Sequence, residues 1–128
     1  MSVTHQDFLV FARALADGPG EIEWRNSTAR AYYSAYHCAS SVVDLCPPNS
    51  HFAMGSHERL SERFKAHGTK GSKSIAYVLE AMKKNRVAAD YEISDPFEKS
   101  SAVNQVAQTD VFIQKVTSFK NECKPHIP

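Results

Sequence analysis

Glycine and proline mark the points at which a helical pattern stops in this chain. Between those points, apolar residues recur every three or four positions, which is the spacing of one buried helix face. The interruptions fall at 18–20, 47–48, 68 and 125. No segment alternates apolar and polar residues as a half-buried strand does, and no period of 20–50 residues repeats. The pattern therefore predicts an all-α fold.

Five helices account for most of the chain in this interpretation. The predicted segments are 4–16 with a weak capping box of Thr4 and Asp7, a long helix from Glu23 to Cys46, a short helix from Ser56 closed by Gly68, one capped by Ser72 or Ser74, and a last one ending near Cys123. Short connections between helices favour antiparallel neighbours. We therefore expect a single domain over 1–128, an up-and-down bundle of four main helices plus a short fifth.

The clearest helix start in the sequence is Asp95-Pro96-Phe97-Glu98. Asp95 is a favoured N-cap residue, proline is favoured at the first helical position, and a glutamate three residues after the cap can reach back to it. The sequence therefore predicts that the last helix begins at Pro96.

Composition limits the classes of protein to consider. The 128 residues carry 15 Lys and Arg against 14 Asp and Glu, a formal net charge of +1, so the chain as a whole is not a polyelectrolyte tail. No apolar run approaches the ~18–20 residues of a membrane helix, and the first residues lack a basic leader. We expect a cytoplasmic protein without membrane attachment.

Three cysteines, an odd number in no framework spacing, favour free thiols in a reducing compartment. Cys46, His51 and His57 were considered as zinc ligands, but their spacing fits no common zinc pattern and no fourth ligand is evident. The sequence therefore predicts neither a metal site nor a cofactor.

Arg30 and His37 are the first candidates for chemistry. Seven helical steps return to within about 20° of the same direction, so the two side chains share one face, with Tyr33 and Ser34 between them. A guanidinium can hold phosphate oxygens and an imidazole can pass a proton near neutral pH, the pair that a metal-independent ribonuclease requires. The structural alternative is that Arg30 pairs with a carboxylate of a neighbouring helix and His37 caps the polar end of the core.

A basic stretch, defined here as residues 63–86, offers independent support for a polyanionic ligand. It contains seven Lys and Arg side chains and one acid, Glu80. Lysine side chains and free backbone amides at a helix start can hold phosphates. The alternative is a solvated lysine face, which is common on exposed helices.

The segment RAYYSAYHCA, residues 30–39, resembles the HEPN family of small helical proteins. Two later segments agree, namely SHERL at 56–60 with Phe64, and RVAADY at 86–91. The resemblance implies a helical bundle that dimerises and, in many members, a ribonuclease site built from an Arg, four to six intervening residues and a His, with this pair duplicated across the dimer axis. In many members that pair lies on a later helix, whereas here Asp90 and Tyr91 follow Arg86 and no His does. Other members are nucleotide-binding modules or partners of a nucleotidyltransferase-type antitoxin.

Two functional hypotheses follow. The first is a metal-independent endoribonuclease, a toxin or defence effector, that works as a homodimer. In this hypothesis Arg30 and His37 are catalytic, and the RNA backbone is held by Arg86, Lys83, Lys84, Lys73 and Tyr33. The second is a non-catalytic module that binds a nucleotide or a partner protein, with a buried polar network of Arg30, His37, Arg86, Asp90 and Tyr91.

Overall fold

The computed structural model describes residues 2–48 and 55–123, and within them it contains helices and no strand. The helices are α1 (His5–Ala16), α2 (Glu21–Ser40), α3 (Ser56–His67), α4 (Lys70–Tyr91) and α5 (Lys99–Glu122), with a 3₁₀ turn at Val43–Leu45 after α2. The all-α prediction is therefore confirmed. Three of the helices are long, and α1 and α3 have 12 residues each.

Helix α2 lies at the centre and packs against α1, α4 and α5. Its small side chains make this possible, because Ala29, Ala31, Ala35 and Ala39 are at most 1% exposed and let neighbouring backbones come close. The large side chains of the main core are contributed by α2, α3, α4 and α5: Tyr32, Phe64, Ile75, Leu79, Met82, Phe112 and Phe119. The centre of the fold is therefore the helix that carries the candidate site.

Two buried serines fix α1 to α2. The Ser27 hydroxyl donates to the carbonyl of Ala12 at 2.6 Å, and the Ser34 hydroxyl donates to the carbonyl of His5 at 2.7 Å. Each bond satisfies a polar group that would be costly to bury without a partner. Ser34 is thus part of the packing between helices and does not line the polar stripe that the sequence suggested.

The helix ends differ from the sequence prediction in α2 and α4. Helix α2 ends at Ser40, six residues before Cys46, because Ser41 and Val42 bond to carbonyls three residues back, and this tightens the chain into the 3₁₀ turn. Helix α4 starts earlier than predicted, with Thr69 as its cap. Ser72 is the third helical residue, and it exchanges hydrogen bonds of 3.0 and 3.1 Å with Thr69.

The other predicted caps of the N-terminal half and of α3 are present. Thr4 and Asp7 form the capping box at the start of α1, with a bond of 2.7 Å from the Thr4 amide to the Asp7 carboxylate. Gly68 ends α3 with φ of 84°, the left-handed conformation that glycine adopts without steric cost.

The predicted start of α5 at Pro96 is wrong, because tertiary contacts hold 95–98 outside the helix. Arg25 donates to the carbonyl of Asp95 at 2.5 Å, and its guanidinium lies 5.1 Å from the centroid of the Phe97 ring. The Phe97 amide donates to the Glu21 carboxylate at 2.6 Å. These contacts with α2 outweigh the local preference, and α5 begins at Lys99 with Glu98 as its cap.

Candidate functional site

Three tyrosines of α2 form the floor of the candidate site. Tyr32, Tyr33 and Tyr36 are one and four positions apart on the helix, so their rings lie close, with centroids separated by 5.3 to 6.4 Å. Tyr32 is fully buried, and the other two are half-buried. With His57 of α3 and Arg86 of α4 they make the surface that we call the tyrosine face.

His57 comes from the first turn of α3 and rests on all three tyrosines. Its Nδ1 lies 2.6 Å from the Tyr32 hydroxyl, and its ring centroid is 4.6 Å from that of Tyr36 and 6.0 Å from that of Tyr33. Burial lowers the pKa of His57 below its ordinary value, and the positive charges of Lys83 and Arg86 lower it further. The imidazole is therefore predominantly neutral at neutral pH.

Arg86 covers two of the tyrosine rings. Its guanidinium carbon lies 5.7 Å from the ring centroid of Tyr32 and 5.6 Å from that of Tyr33. The side chain is only 11% exposed, and Nη1 pairs with the Asp90 carboxylate at 3.3 Å. Its Nε is buried and has no hydrogen-bond partner within the described chain. A buried donor without an acceptor is unusual enough to require an explanation.

Arg30 stacks on the same tyrosine as Arg86. Its guanidinium carbon lies 5.1 Å from the Tyr33 centroid, so one ring carries two cations. Among residues 2–48 and 55–123, no carboxylate pairs with Arg30. Within that part of the chain, the structural alternative of an ion pair to a neighbouring helix is therefore not found.

His37 lies beyond Tyr36 and is exposed. Its ring centroid is 5.3 Å from that of Tyr36 and 5.1 Å from that of Phe8 in α1. No contact joins His37 to Arg30 in the described residues, and the link between them passes through the rings of Tyr33 and Tyr36. The shared helix face thus becomes a continuous strip with the imidazole at one end and the guanidinium at the other.

Some cationic side chains of the basic stretch are already bonded to carboxylates or carbonyls of the protein. Lys65 pairs with Glu80 at 2.6 Å and with Glu62 at 3.4 Å. Arg63 donates to the carbonyls of Cys46 and Pro47. Much of the positive charge counted in the sequence is therefore used inside the fold.

The three candidate lysines of the basic stretch differ in position. Lys83 lines a cavity of about 250 Å³ beside Tyr32 and His57. Lys84 is exposed on an adjacent groove of α4. Lys73 is exposed in the first turn of α4, and in the part of the chain that the structure describes it makes no hydrogen bond, ion pair or cation–π contact with the tyrosine face. Lys83 is therefore the lysine that the structure brings to the site.

Asp90 and Tyr91 separate in the structure. Asp90 bonds to Arg86, four residues earlier on α4. Tyr91 ends α4 with 72% of its surface exposed, so it does not join a buried network.

The contacts of two residues, His57 and Arg25, were not predicted from the sequence. The sequence points to His57 only as a zinc-ligand candidate and as part of the segment 56–60, since nothing in the sequence shows that the first turn of α3 meets the tyrosines of α2. Arg25 is 6% exposed and bonds to four carbonyls between Ala88 and Asp95, about 65 residues later in the chain. Contacts this distant leave no local pattern.

The cysteines are unpaired, and burial raises the pKa of Cys38 and of Cys46 to about 11. Both thiols therefore remain protonated at neutral pH and are poor nucleophiles. In residues 2–48 and 55–123, no three His, Cys, Asp or Glu side chains come together to hold a metal ion, while His51 lies outside the described residues.

Comparison of the chain with protein-family models, with curated proteins and with solved structures gives no match. None of the described helices has the length and apolar character needed to cross a membrane. We therefore infer the function of the protein from the residues of the tyrosine face.

Proposed function

We propose that the tyrosine face binds RNA and that the chain is a metal-independent endoribonuclease of the HEPN type. The observation that carries the proposal is the ring of Tyr33, which bears the guanidinium groups of both Arg30 and Arg86. Aromatic rings offer stacking surfaces for bases, and guanidinium groups bind phosphate oxygens. The imidazole of His37 lies at the end of the same strip.

The reaction assigned to this site is an internal transesterification. The 2′-oxygen of a ribose attacks the adjacent phosphorus, the bond from phosphorus to the 5′-oxygen breaks, and the products are a 2′,3′-cyclic phosphate and a 5′-hydroxyl. His37 takes the 2′ proton or delivers one to the leaving 5′-oxygen, and water supplies or accepts the other proton. Arg30 stabilises the charge of the phosphorane. Arg86, Lys83 and Lys84 hold neighbouring phosphates.

The proposal includes an architecture and partners. The helices are arranged as the antiparallel HEPN-like bundle, and two copies form a homodimer in which both tyrosine faces contribute to one RNA-binding groove. The expected setting is a cytoplasmic toxin or defence effector with a nucleotidyltransferase-type antitoxin. The apolar residues left exposed on the helices, including Val10, Phe11, Val103 and Val111, offer surfaces that such partners could cover.

Incubation of the purified protein with RNA in EDTA tests the activity. Wild type should leave fragments that end in a cyclic phosphate, and His37→Ala and Arg30→Ala should each lower the cleavage rate by at least a hundredfold. Arg13→Ala and His67→Gln are matched controls, because neither residue belongs to the tyrosine face. The proposal is wrong if wild type does not cut, or if His37→Ala leaves the same fragments at the same rate.

A second candidate function is a non-catalytic module for a nucleotide or a partner protein. The ion pair between Arg86 and Asp90 favours it, because an arginine that is 11% exposed and already paired has a structural role. Binding without cleavage would identify this function. If Arg30→Ala keeps its melting temperature and loses RNA binding, the site interpretation of Arg30 is supported. If the variant unfolds, the structural interpretation is supported.

A further inference from the structure

One histidine, His57, belongs to the tyrosine face, and a second, His37, borders it at Tyr36. Only His37 has a role in the reaction proposed above. His57 lies at the edge of the 250 Å³ cavity that Lys83 also lines. It is in contact with three tyrosine rings and within the electrostatic influence of Arg86. Because His57 lies among cations and aromatic rings, it is a candidate for contact with a ligand.

The hydrogen bond from Tyr32 determines which nitrogen of His57 carries the proton. The Tyr32 side chain is 0% exposed, and in the described residues its hydroxyl bonds only to His57 Nδ1. Burial raises the pKa of this hydroxyl above its ordinary value, so it keeps its proton. That proton needs an acceptor, and Nδ1 is the one present, so a neutral His57 carries its own hydrogen on Nε2.

The Nε2 atom of His57 is available to a ligand. It makes no hydrogen bond to the described residues, and His57 is only half-buried and lines the cavity of about 250 Å³. Lys83 and Arg86 make the surroundings positive, which favours an anion. The cavity is also lined by two carboxylates, but Glu80 is held by Lys65 at 2.6 Å and by Ser61 at 2.8 Å, so among the described residues Glu58 is the carboxylate of this cavity without an ion pair.

We propose that His57 is a phosphate-binding residue of the tyrosine face, held by Tyr32 as the tautomer that donates an Nε2 hydrogen bond to a phosphate oxygen. This inference rests on the proposed function, and it gives the two histidines different roles in that function. His57 stays neutral and donates a hydrogen bond, with no bond made or broken at the imidazole. His37, which is exposed and whose imidazole makes no hydrogen bond to the described residues, transfers the proton.

Nuclear magnetic resonance of protein labelled with ¹⁵N-histidine tests the tautomer without any substrate. In wild type at pH 7.5, the His57 signals should be those of a protonated Nε2 and an unprotonated Nδ1. Tyr32→Phe keeps the ring and removes the hydroxyl, so the variant should show a mixture of the two tautomers. Tyr33→Phe is the matched control and should leave the His57 signals unchanged.

Binding of two probes tests the donor role. The probes are inorganic phosphate and a 2′-O-methyl RNA hexanucleotide, which cannot undergo the transesterification. His57→Ala should weaken binding of the hexanucleotide roughly tenfold to a hundredfold, as expected for a lost hydrogen bond to a charged group. His57→Gln restores an amide N–H near the position of Nε2 and should recover most of that loss.

The outcomes separate this inference from the function on which it rests. A wild-type His57 protonated on Nδ1, or a His57→Ala variant that binds the hexanucleotide as tightly as wild type, overturns the inference and leaves the endoribonuclease proposal standing. Conversely, a wild type that never cuts RNA, but whose His57 Nε2 signal shifts with inorganic phosphate, supports the phosphate site and defeats the nuclease proposal.

Discussion

Arg25 of α2 and Arg86 of α4 both lie where these two helices pack together, and their side chains are only 7% and 11% exposed. Arg25 donates to the carbonyls of Ala88, Ala89, Glu92 and Asp95, at 2.5 to 3.3 Å, and its charge is balanced by Glu21 at 3.6 Å. Arg86 bonds to one carboxylate, stacks on two tyrosines, and leaves its Nε without a partner in the described residues.

The difference separates a structural arginine from a candidate ligand-binding one. All the hydrogen-bonding capacity that Arg25 uses is directed at the end of α4 and at the connection to α5, where a cation also meets the negative end of the helix dipole. The guanidinium of Arg86 stacks on tyrosine rings, and not all of its N–H donors have an acceptor among the described residues. This arrangement suits the binding of an oxyanion. The experiments below test this division.

Replacement of Arg25 should have the largest effect on stability. Arg25→Ala removes the donors of four carbonyls and the contact with Phe97, so we expect a loss of about 3–5 kcal/mol in the free energy of unfolding. Urea denaturation measures it. Arg13→Ala, an exposed arginine on α1, should lose less than about 1 kcal/mol under the same conditions. A loss below about 1 kcal/mol for Arg25→Ala would show that its carbonyls are satisfied by water as well as by the guanidinium.

Replacement of Arg86 should reverse the pattern, with a smaller loss of stability and a larger loss of binding. Asp90 is 34% exposed and can be solvated once its partner is removed, so Arg86→Ala should lose about 1–2 kcal/mol. The affinity for the 2′-O-methyl RNA hexanucleotide should fall roughly tenfold or more. Arg86→Lys keeps the charge but not the planar fork, and should not restore binding. Equal losses of stability in Arg86→Ala and Arg25→Ala would remove the distinction between them.

The parts of the fold that follow from local chemistry were predictable from the sequence. Apolar spacing identified five helices, and the capping box of Thr4 and Asp7 and the left-handed Gly68 were found where their residue types indicated. The prediction failed at Pro96, where the local signal was strongest. Contacts from Arg25 and Glu21 on another helix decide the conformation there, and no window of local sequence contains them.

The candidate site shows the same limit. Arg30, Tyr33 and His37 share a helix, so their common face could be deduced from spacing. The meeting of His57 and Arg86 over the tyrosines depends on how α3 and α4 pack against α2, and spacing within one helix does not reveal this. The basic stretch likewise overstated the free charge, because Lys65 is neutralised by carboxylates within its own region.

Acidification should lower the stability of the fold through two histidines, His57 in the tyrosine face and His5 in α1. Burial lowers the pKa of both His57 and His5, helped by Lys83 and Arg86 at His57 and by His37 at His5. A histidine with a lowered pKa binds fewer protons when folded than when unfolded, so its contribution to stability is complete above pH 6.5 and is lost as the pH falls below that value.

The melting temperature should therefore fall between pH 7 and pH 5, and His57→Gln should flatten the decline. Glu80 acts in a separate window: burial raises its pKa, but hydrogen bonds from Lys65 and Ser61 outweigh this and lower it, so its contribution is lost only below about pH 4.5. An unchanged decline in His57→Gln would show that His57 does not cause the pH dependence and would leave His5 as the candidate among the described residues.

A third arginine tests whether satisfaction of hydrogen bonds alone makes an arginine structural. Arg13 Nη2 donates to both carboxylate oxygens of Asp110, at 2.9 and 3.0 Å, so its charge has a direct partner, yet the two side chains are 51% and 49% exposed. Water screens such a pair and competes for its donors, so the coupling energy in a double-mutant cycle of Arg13→Ala and Asp110→Ala should be about 0.2–1 kcal/mol and should shrink as salt is added. The pair of Arg13 and Asp110 joins α1 to α5. A coupling energy above about 2 kcal/mol would mean that this ion pair stabilises the fold strongly although it is exposed. The effect of Arg25→Ala would then be attributed to the number of hydrogen bonds that Arg25 makes and not to its burial.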